Sequence, residues 1–180
     1  MLPAPLSLAP PPGMGLEEHR AASPASLGFA VVTVSDTREL ETDRGGDYLA
    51  QGVEAAGHRV VTRLLVRDEI AEIQAAARQV LATDGVDLVL VTGGTGIAPR
   101  DVSPQALEPL FDAPIPGFGE LFRWLSFEEV GSATILSRAV AGRIGRRVLF
   151  ALPGSPKALR LALERIILPE AGHLVSQARG

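Results

Sequence analysis

A glycine-rich segment at residues 92–101 carries the clearest chemical signal in the chain. Gly93, Gly94 and Gly96 allow a sharp turn, and they let bare backbone amides approach a ligand closely. Successive amides of this kind bind anions, and phosphate above all. Thr95 lies among the glycines, but the segment lacks the Gly-Lys-Ser/Thr of a Walker A loop and the spacing of a dinucleotide-binding motif. The pattern therefore predicts a phosphate-binding loop of another kind.

Two charged residues, Arg100 and Asp101, follow the glycines. Asp101 stands two residues before Ser103, which Pro104 marks as the predicted N-cap of the next helix. Capping therefore does not explain Asp101. A carboxylate beside a phosphate repels it unless a cation lies between them, so we expect Asp101 to carry a Mg²⁺ bridge to phosphate oxygens. Arg100 either clamps a phosphate or lies in solvent as an ordinary surface arginine.

The elements that must position this segment alternate between strands and helices from residue 28 onward. Short apolar runs predict the strands, and apolar residues at helical spacing predict the helices between them. The predicted strands cover 29–34, 59–66, 86–91, 133–141 and 146–152, and the predicted helices cover 47–56, 69–83, 104–111, 117–129 and 156–168. This alternation indicates a mostly parallel α/β sheet with helices on both faces. A turn predicted at 142–145 adds an antiparallel hairpin at one edge.

Ligands of such sheets bind beyond the carboxyl ends of the parallel strands, and this rule selects three further segments. Ser35 and Asp36 follow the first strand, Asp68 follows the second, and residues 153–155 follow the last. Asp68 is equally well placed to cap the next helix, and Asp36 has the position of an ordinary turn residue. The last segment joins a glycine to a predicted helix N-terminus, which makes it a second anion-binding element.

Two more charged residues have open roles. Lys157 falls in the first turn of the last predicted helix, where it opposes the helix dipole unless an anion is bound; the alternative is a solvated lysine. Glu120 follows Gly117 and Gly119, and it is either a ligand contact or an exposed acid. The three histidines are isolated in the sequence and lack the spacing of metal ligands.

The composition excludes several classes of protein. The 180 residues include 17 basic and 21 acidic side chains, and the net charge of −4 argues against binding to nucleic acid. The absence of cysteine excludes disulfides and thiol chemistry. No apolar run approaches the roughly 20 residues that span a bilayer, and the N-terminus lacks the basic region of a signal peptide, so we expect a cytoplasmic protein that does not bind membranes. Residues 1–27 hold six of the 14 prolines and predict a disordered tail before a single domain at 28–180.

Five motifs in this order resemble the MoaB/MogA family of molybdenum-cofactor biosynthesis proteins, and the resemblance covers about residues 28–175. They are Val34-Ser35-Asp36-Thr37-Arg38, Gly93-Gly94-Thr95-Gly96 with Arg100-Asp101-Val102-Ser103-Pro104, Pro116-Gly117-Phe118-Gly119-Glu120, Leu136-Ser137-Arg138 and Leu152-Pro153-Gly154-Ser155-Pro156-Lys157. A further run, Glu41-Thr42-Asp43 with Gly45-Gly46, favours the MoaB branch. The family implies a three-layer α/β/α fold that assembles as trimers or hexamers, with other proteins of the same pathway as candidate partners.

The resemblance also implies an activity, the Mg²⁺-dependent transfer of an adenylyl group from ATP to molybdopterin with release of pyrophosphate. Asp68 and Asp101 match the two aspartates that carry this activity in the family, so they are the predicted catalytic and Mg²⁺-binding residues. The family usually has proline where this chain has Arg67, directly before the first of them. The other residues assigned to ligand binding are Ser35, Asp36, Gly93, Gly94, Thr95, Gly96, Arg100, Glu120, Ser137, Arg138, Pro153, Gly154, Ser155 and Lys157.

Two alternatives stay open at this point. One is a protein that binds molybdopterin for the same pathway without turning it over. The other is a nucleotide pyrophosphatase, since the same domain occurs in CinA-like enzymes. Release of pyrophosphate that depends on molybdopterin would separate the adenylyltransferase from both.

Overall fold

A six-stranded sheet forms the middle layer of the structure, a computed structural model that describes residues 26–180. The strands are β1 (Gly28–Val34), β2 (Arg59–Val66), β3 (Leu88–Thr92), β4 (Ala113–Pro114), β5 (Val140–Ile144) and β6 (Arg147–Leu152). They lie in the order β2-β1-β3-β6-β5-β4. Strands β1, β2, β3 and β6 run parallel, whereas β5 is antiparallel to both of its neighbours. The predicted mostly parallel sheet with an antiparallel edge is confirmed.

Helices cover both faces of this sheet. They are α1 (Arg44–Ala55), α2 (Ile70–Ala82), α3 (Ser103–Leu107), α4 (Pro116–Val130), α5 (Pro156–Ala162) and α6 (Leu168–Arg179). Helices α1, α4, α5 and α6 pack over one apolar core, and α2 and α3 pack over a second core on the other face. The three-layer α/β/α fold is therefore confirmed as well.

The strand side chains alternate between these two cores. On β1, Phe29 and Val31 enter the first core, while Ala30 and Val32 enter the second. All five residues of β3 are buried, which explains why that part of the sequence is an unbroken apolar run. A sheet with helices packed on both faces holds the loops at its strand ends in defined relative positions.

The predicted strand at 133–141 is wrong in its first half. Gly131–Leu136 forms a 3-10 helix, and the strand begins only at Val140. Ile135 is 76% exposed, so the apolar residues here do not point into the core as a strand would require. The hairpin turn is also tighter than predicted, because β5 continues to Ile144 and Gly145 turns the chain with a φ of 56°. The short edge strand β4 was not predicted.

Three helix limits differ from the predictions. The helix predicted at 104–111 ends at Leu107, and Glu108–Leu110 continues it as a 3-10 helix. α1 begins at Arg44 rather than at residue 47, because Asp43 caps it by accepting the N–H of Gly46 at 2.9 Å. The last helix does not end before Pro169. A π-helical turn, Leu163–Ile167, leads directly into α6, and its wider hydrogen bonding lets the chain pass a proline that lacks an N–H.

The predicted tail lies almost entirely outside the described residues. Leu27, which the sequence assigns to the tail, is fully buried in the first core, and its carbonyl accepts the N–H of Arg59 at 2.9 Å. The predicted boundary therefore falls one or two residues inside the packed structure. Among residues 26–180, no helix is both long enough and apolar enough to cross a bilayer.

The environment of His58 predicts that the protein loses stability in acid. Its ring stacks on Phe29 with centroids 5.4 Å apart, and its Nδ1 accepts the N–H of Leu27 at 3.4 Å. Burial lowers the pKa of His58 because it disfavours the charged ring. The unfolded chain then binds the proton more tightly than the folded protein does. The neutral, buried His58 ring therefore stabilises the fold fully at pH values above its ordinary pKa, and this stabilisation is lost as the pH falls through the lowered pKa.

We therefore expect the Tm of the protein to fall more than that of His58→Gln as the pH is lowered from about 7 to about 5, across the ordinary pKa of histidine. Differential scanning calorimetry at a series of pH values measures the difference. Identical pH profiles for the two proteins would contradict it.

Candidate active site

The glycine loop, residues 92–101, lies between the ends of β1, β3 and β6. The N–H of Gly93 donates to the carbonyl of Leu152 at 3.0 Å, which ties the loop to the end of β6. Gly93 has a φ of 108°, and a Cβ built on it would lie 2.2 Å from the carbonyl oxygen of Val34. Gly94 has a φ of 62°. Both positions therefore require glycine, by conformation and, at Gly93, by direct contact with the neighbouring strand.

Ser103 fixes this loop instead of capping α3 in the predicted way. The cap position belongs to Val102, and Ser103 is the first residue of the helix. The buried Ser103 hydroxyl donates to the carbonyl of Gly93 at 2.8 Å, and its N–H donates to the carbonyl of Gly94 at 3.0 Å. The hydroxyl is turned towards the loop, so the helix N-terminus loses a cap and the loop gains a defined shape.

Asp68 does not cap a helix either. The N-cap of α2 is Glu69, and no side chain accepts a hydrogen bond there. Oδ1 of Asp68 is buried without a hydrogen-bond partner among the described residues. A Cβ built on Gly94 would lie 2.6 Å from this oxygen, so the carboxylate sits against the glycine loop. A buried carboxylate oxygen without a partner is costly and points to a ligand that satisfies it.

The charge around Asp68 is strongly acidic. Burial raises the pKa of the Asp68 carboxyl, and the negative charges of Asp36 and Asp101 raise it further, while Arg100 lowers it. The N–H of Asp68 also donates to Oδ1 of Asp36 at 3.1 Å. Three carboxylates from three strand ends thus gather around the loop, with Arg100 within electrostatic range.

Asp101 lies beside the same loop. Its Oδ2 accepts the N–H of Ala98 at 2.9 Å, and a Cβ built on Gly96 would lie 2.6 Å from that oxygen. Two carboxylates therefore lie against the loop, Asp68 beside Gly94 and Asp101 beside Gly96. Sequence separation alone does not require this arrangement, which the parallel order β2-β1-β3 produces.

These carboxylates fit a Mg²⁺ ion that arrives with a phosphate. Within residues 26–180, no group of three or more metal-ligating side chains could hold a metal ion by itself. Mg²⁺ is commonly bound by one or two carboxylates together with waters and substrate phosphates. Asp68, with its unsatisfied oxygen, and Asp101 can supply those carboxylates, and the amides of Gly94 and Gly96 can supply contacts to the phosphates.

Arg138 donates three hydrogen bonds to backbone carbonyls of the glycine loop. Its Nε donates to the carbonyl of Gly96 at 2.7 Å, Nη2 donates to the carbonyl of Asp101, and its backbone N–H donates to the carbonyl of Thr95 at 3.0 Å. The sequence predicts Arg138 as a direct anion ligand. In the structure, at least two of its side-chain nitrogens hold the loop backbone in place, and Nη1 is the nitrogen left for an anion.

We expect Arg138→Lys to loosen the loop, because one ammonium group cannot bridge two carbonyls as a planar guanidinium does. Hydrogen–deuterium exchange at residues 94–101 should become about tenfold faster or more, which corresponds to the loss of a charge-assisted hydrogen bond. Arg165→Lys, at an exposed position on the last helical segment, is the matched control. Equal exchange rates in the Arg138→Lys variant and the unmodified protein would contradict this role.

The second predicted anion-binding element adjoins the first. A Cβ built on Gly154 would lie 3.7 Å from the Cα of Gly93, so the two segments are in contact. Ser155 caps α5 by accepting the N–H of Ala158 at 3.3 Å, as predicted. Ser137, whose buried hydroxyl has no partner among the described residues, shares a cavity of about 160 Å³ with Pro153, Ser155 and Lys157.

A second cavity of about 240 Å³ opens between the ends of β1 and β3. Ser35 and Gly154 line it together with the loop residue Gly93. Asp43 also lines it and was missed as a site residue; it is 1% exposed and accepts the Thr33 hydroxyl at 2.6 Å. The sequence signal that could have identified Asp43 is its position as an aspartate directly before α1. Gly45 and Gly46 are poor helix formers, so they concealed the true start of that helix.

Glu120 lies apart from these groups. It lines a third cavity, of about 440 Å³, along β5 and α4, together with Arg123 and Phe111. None of the residues lining that cavity belongs to the glycine loop. The other predicted ligand-binding residues fall on the loop itself, beside it, or in the two cavities that adjoin it.

Comparison with known sequences places this chain in a family. The family described as "Probable molybdopterin binding domain" matches residues 30–173 of the 180. The chain is similar to Molybdenum cofactor biosynthesis protein B of Bacillus cereus, at 46% identity over 162 residues that cover 89% of this chain and 96% of that protein.

Comparison with solved structures agrees. A crystal structure of Molybdenum cofactor biosynthesis protein B superposes with a TM-score of 0.84 at 45% identity, covering 87% of this chain and 98% of the other. The tungsten cofactor synthesizing protein MoaB from Pyrococcus furiosus superposes with a TM-score of 0.79 at 38% identity, covering 88% and 100%. By sequence and by structure, the chain belongs to the MoaB/MogA family, and its role lies in the biosynthesis of the molybdenum cofactor.

Proposed function

We propose that this protein transfers the adenylyl group of Mg²⁺-ATP to molybdopterin. The observation that carries the proposal is the buried, unpartnered Oδ1 of Asp68, which lies against Gly94 of the glycine loop and within electrostatic range of Asp101. A lone buried carboxylate oxygen beside bare amides suits a phosphate-bound cation better than it suits either a phosphate or a cation alone.

Each part of the site has a role in this reaction. The amide of Gly93 already donates to the carbonyl of Leu152, so Gly93 contributes to the turn and not to a phosphate contact of its own. The amides of Gly94 and Gly96 would bind the phosphates of ATP, while Asp68 and Asp101 would hold the ion. Bound there, Mg²⁺ neutralises the charge that develops between the α- and β-phosphates. Arg100 lies close enough to Asp68 to affect its titration, and its guanidinium can add to that neutralisation.

The transfer itself needs no covalent help from the protein. A phosphate oxygen of molybdopterin attacks the α-phosphorus of ATP, and the bond from that phosphorus to the α–β bridging oxygen breaks. Pyrophosphate leaves with the electron pair of that bond, so one bond forms and one breaks. The cavity lined by Ser137, Ser155 and Lys157 adjoins the loop and is our proposed site for the phosphate of molybdopterin.

Incubation of the protein with molybdopterin and Mg²⁺-ATP tests the proposal. We expect adenylylated molybdopterin and pyrophosphate in equal amounts. Chromatography of the pterin measures the first product, and a coupled pyrophosphate assay measures the second. Tight binding of molybdopterin without pyrophosphate would instead indicate a carrier. Hydrolysis of a dinucleotide to AMP without any pterin would indicate a pyrophosphatase.

The raised pKa of Asp68 predicts a pH-dependent need for Mg²⁺. Protons and Mg²⁺ compete for the same carboxylate, and burial, together with the acidic surroundings, raises its affinity for protons. We therefore expect the Mg²⁺ concentration for half-maximal activity to rise as the pH is lowered towards the pKa of Asp68. A Mg²⁺ requirement that stays constant across the acid range would contradict direct binding of the ion by Asp68.

We also propose that the chain associates with copies of itself. Several large apolar side chains on α4 and the 3-10 helix after it are between 41% and 76% exposed; these are Leu121, Trp124, Phe127, Val130, Ile135 and Leu136. Exposed large apolar side chains concentrated on two consecutive elements favour an interaction site. Light scattering should give a trimer or a hexamer, and a monomer at micromolar concentration would contradict it.

A further inference from the structure

The amino end of the sheet carries a cavity of about 380 Å³, lined by Gly85, Val86, Asp87, Arg146, Arg147 and Arg179. The strand β3 runs from this end to the glycine loop, and its five residues span about 16 Å. The cavity is therefore separate from the candidate active site, and neither the fold comparison nor the proposed reaction uses it.

The one carboxylate in this lining, Asp87, is already neutralised. Its Oδ2 accepts the N–H of Gly28 at 2.9 Å, and its Oδ1 forms an ion pair with Arg179 at 2.5 Å. The Asp87 side chain is only 13% exposed, so it serves the packing of the strand ends. Its charge offsets one of the three arginines and leaves two.

The other two arginines keep unused donors. Arg147 donates Nε to the carbonyl of Val86 at 3.0 Å, which fixes its guanidinium and leaves two terminal nitrogens for other partners. Arg146 is exposed in the turn between β5 and β6, and the structure of residues 26–180 gives it no hydrogen bond or ion pair. Arg59 adds to this charge, because a Cβ built on Gly85 would lie 3.8 Å from one of its terminal nitrogens.

We propose that this arginine cavity binds a small anion that carries phosphate groups. Like charges gathered in a concave surface repel one another unless an anion is bound, and the rest of this chain is acidic, with a net charge of −4 overall. Guanidinium groups match phosphate oxygens in a bidentate geometry. An open, arginine-lined cavity of this size suits a pyrophosphate or a short polyphosphate better than a protein segment.

Calorimetric titration of the full chain with inorganic pyrophosphate in EDTA tests this site. EDTA removes Mg²⁺, so the Mg²⁺-dependent binding proposed at the glycine loop does not contribute. We expect Arg146→Gln to bind pyrophosphate about tenfold more weakly than the unmodified protein, as the loss of a charge-assisted contact requires. Arg165→Gln removes the same charge from an exposed position elsewhere and should bind normally.

Three results would overturn the proposal: no binding of pyrophosphate, equal affinity in Arg146→Gln and the unmodified protein, or tighter binding of a polyglutamate peptide than of pyrophosphate. The last result would assign the cavity to an acidic protein partner. Arg146 lies at the opposite end of the sheet from the glycine loop, so Arg146→Gln should also keep full adenylyl transfer. This test therefore succeeds or fails independently of the proposed function.

Discussion

Asp68→Asn should abolish adenylyl transfer and, in the absence of ligands, make the protein more stable. Asparagine keeps the shape of the side chain but removes the charge that Mg²⁺ requires, so we expect the rate to fall about 100-fold or more. The pKa of Asp68 is raised, so the folded state binds this proton more tightly than the unfolded chain does. The protonated Asp68 carboxyl therefore stabilises the fold at pH values below its ordinary pKa, and this stabilisation is lost as the pH rises through the raised pKa. At neutral pH the ionised carboxylate destabilises the fold.

Thermal unfolding at neutral pH measures the second effect. We expect the Tm of Asp68→Asn to rise by about 1–3 °C, the scale of a modest stabilisation in a domain of this size. Asp84→Asn removes a charge from an exposed turn and is the matched control, which should change neither quantity. A lower Tm together with lost activity would mean that Asp68 is structural, and full activity would remove it from the mechanism.

Gly93→Ala should cause the largest loss of stability of any change in the glycine loop. The added methyl group would lie 2.2 Å from the carbonyl oxygen of Val34, and the φ of 108° is one that alanine rarely adopts. Backbone atoms on β1 cannot move aside without breaking the pairing of β1 with its neighbours. We expect the free energy of unfolding to fall by about 3–5 kcal/mol, which is in the range of severe backbone clashes.

Gly57→Ala separates the two causes of this loss. Gly57 has a φ of 84°, but nothing lies within 4 Å of a Cβ built there. It should therefore cost only the conformational term, about 1 kcal/mol. Urea denaturation of both variants gives the comparison, and equal losses would show that the contact with Val34 relaxes freely.

Much of the candidate site could be predicted from the sequence, because the strands that position it are encoded by short local patterns. Apolar runs placed β1, β2 and β3 within a few residues, and the loops after them had to meet at one edge of a parallel sheet. The number and spacing of the glycines predicted the loop. The choice for Asp68 between a helix cap and a site residue needed coordinates, because both uses put an aspartate in the same place before a helix.

Other features depend on contacts between distant parts of the chain. Arg138 reaches back 42 residues to the carbonyl of Gly96, and no local pattern encodes that hydrogen bond. Ser103 carries the sequence signature of a cap, yet its hydroxyl satisfies the loop. Pro169 predicted the end of a helix, but the π-helical turn before it lets the helical backbone continue past the proline. In each case a tertiary contact or a change in hydrogen-bond register overrides a local preference.

Anomalous diffraction from a crystal soaked with Mn²⁺-ATP tests the central claim most directly, because manganese marks the position of the ion. We predict a single strong peak at coordination distance from carboxylate oxygens of both Asp68 and Asp101, about 2.1 Å if manganese takes the place of Mg²⁺. The triphosphate should lie along the amides of Gly94 and Gly96. An ion bound away from both aspartates, or a nucleotide bound away from the glycine loop, would contradict the account.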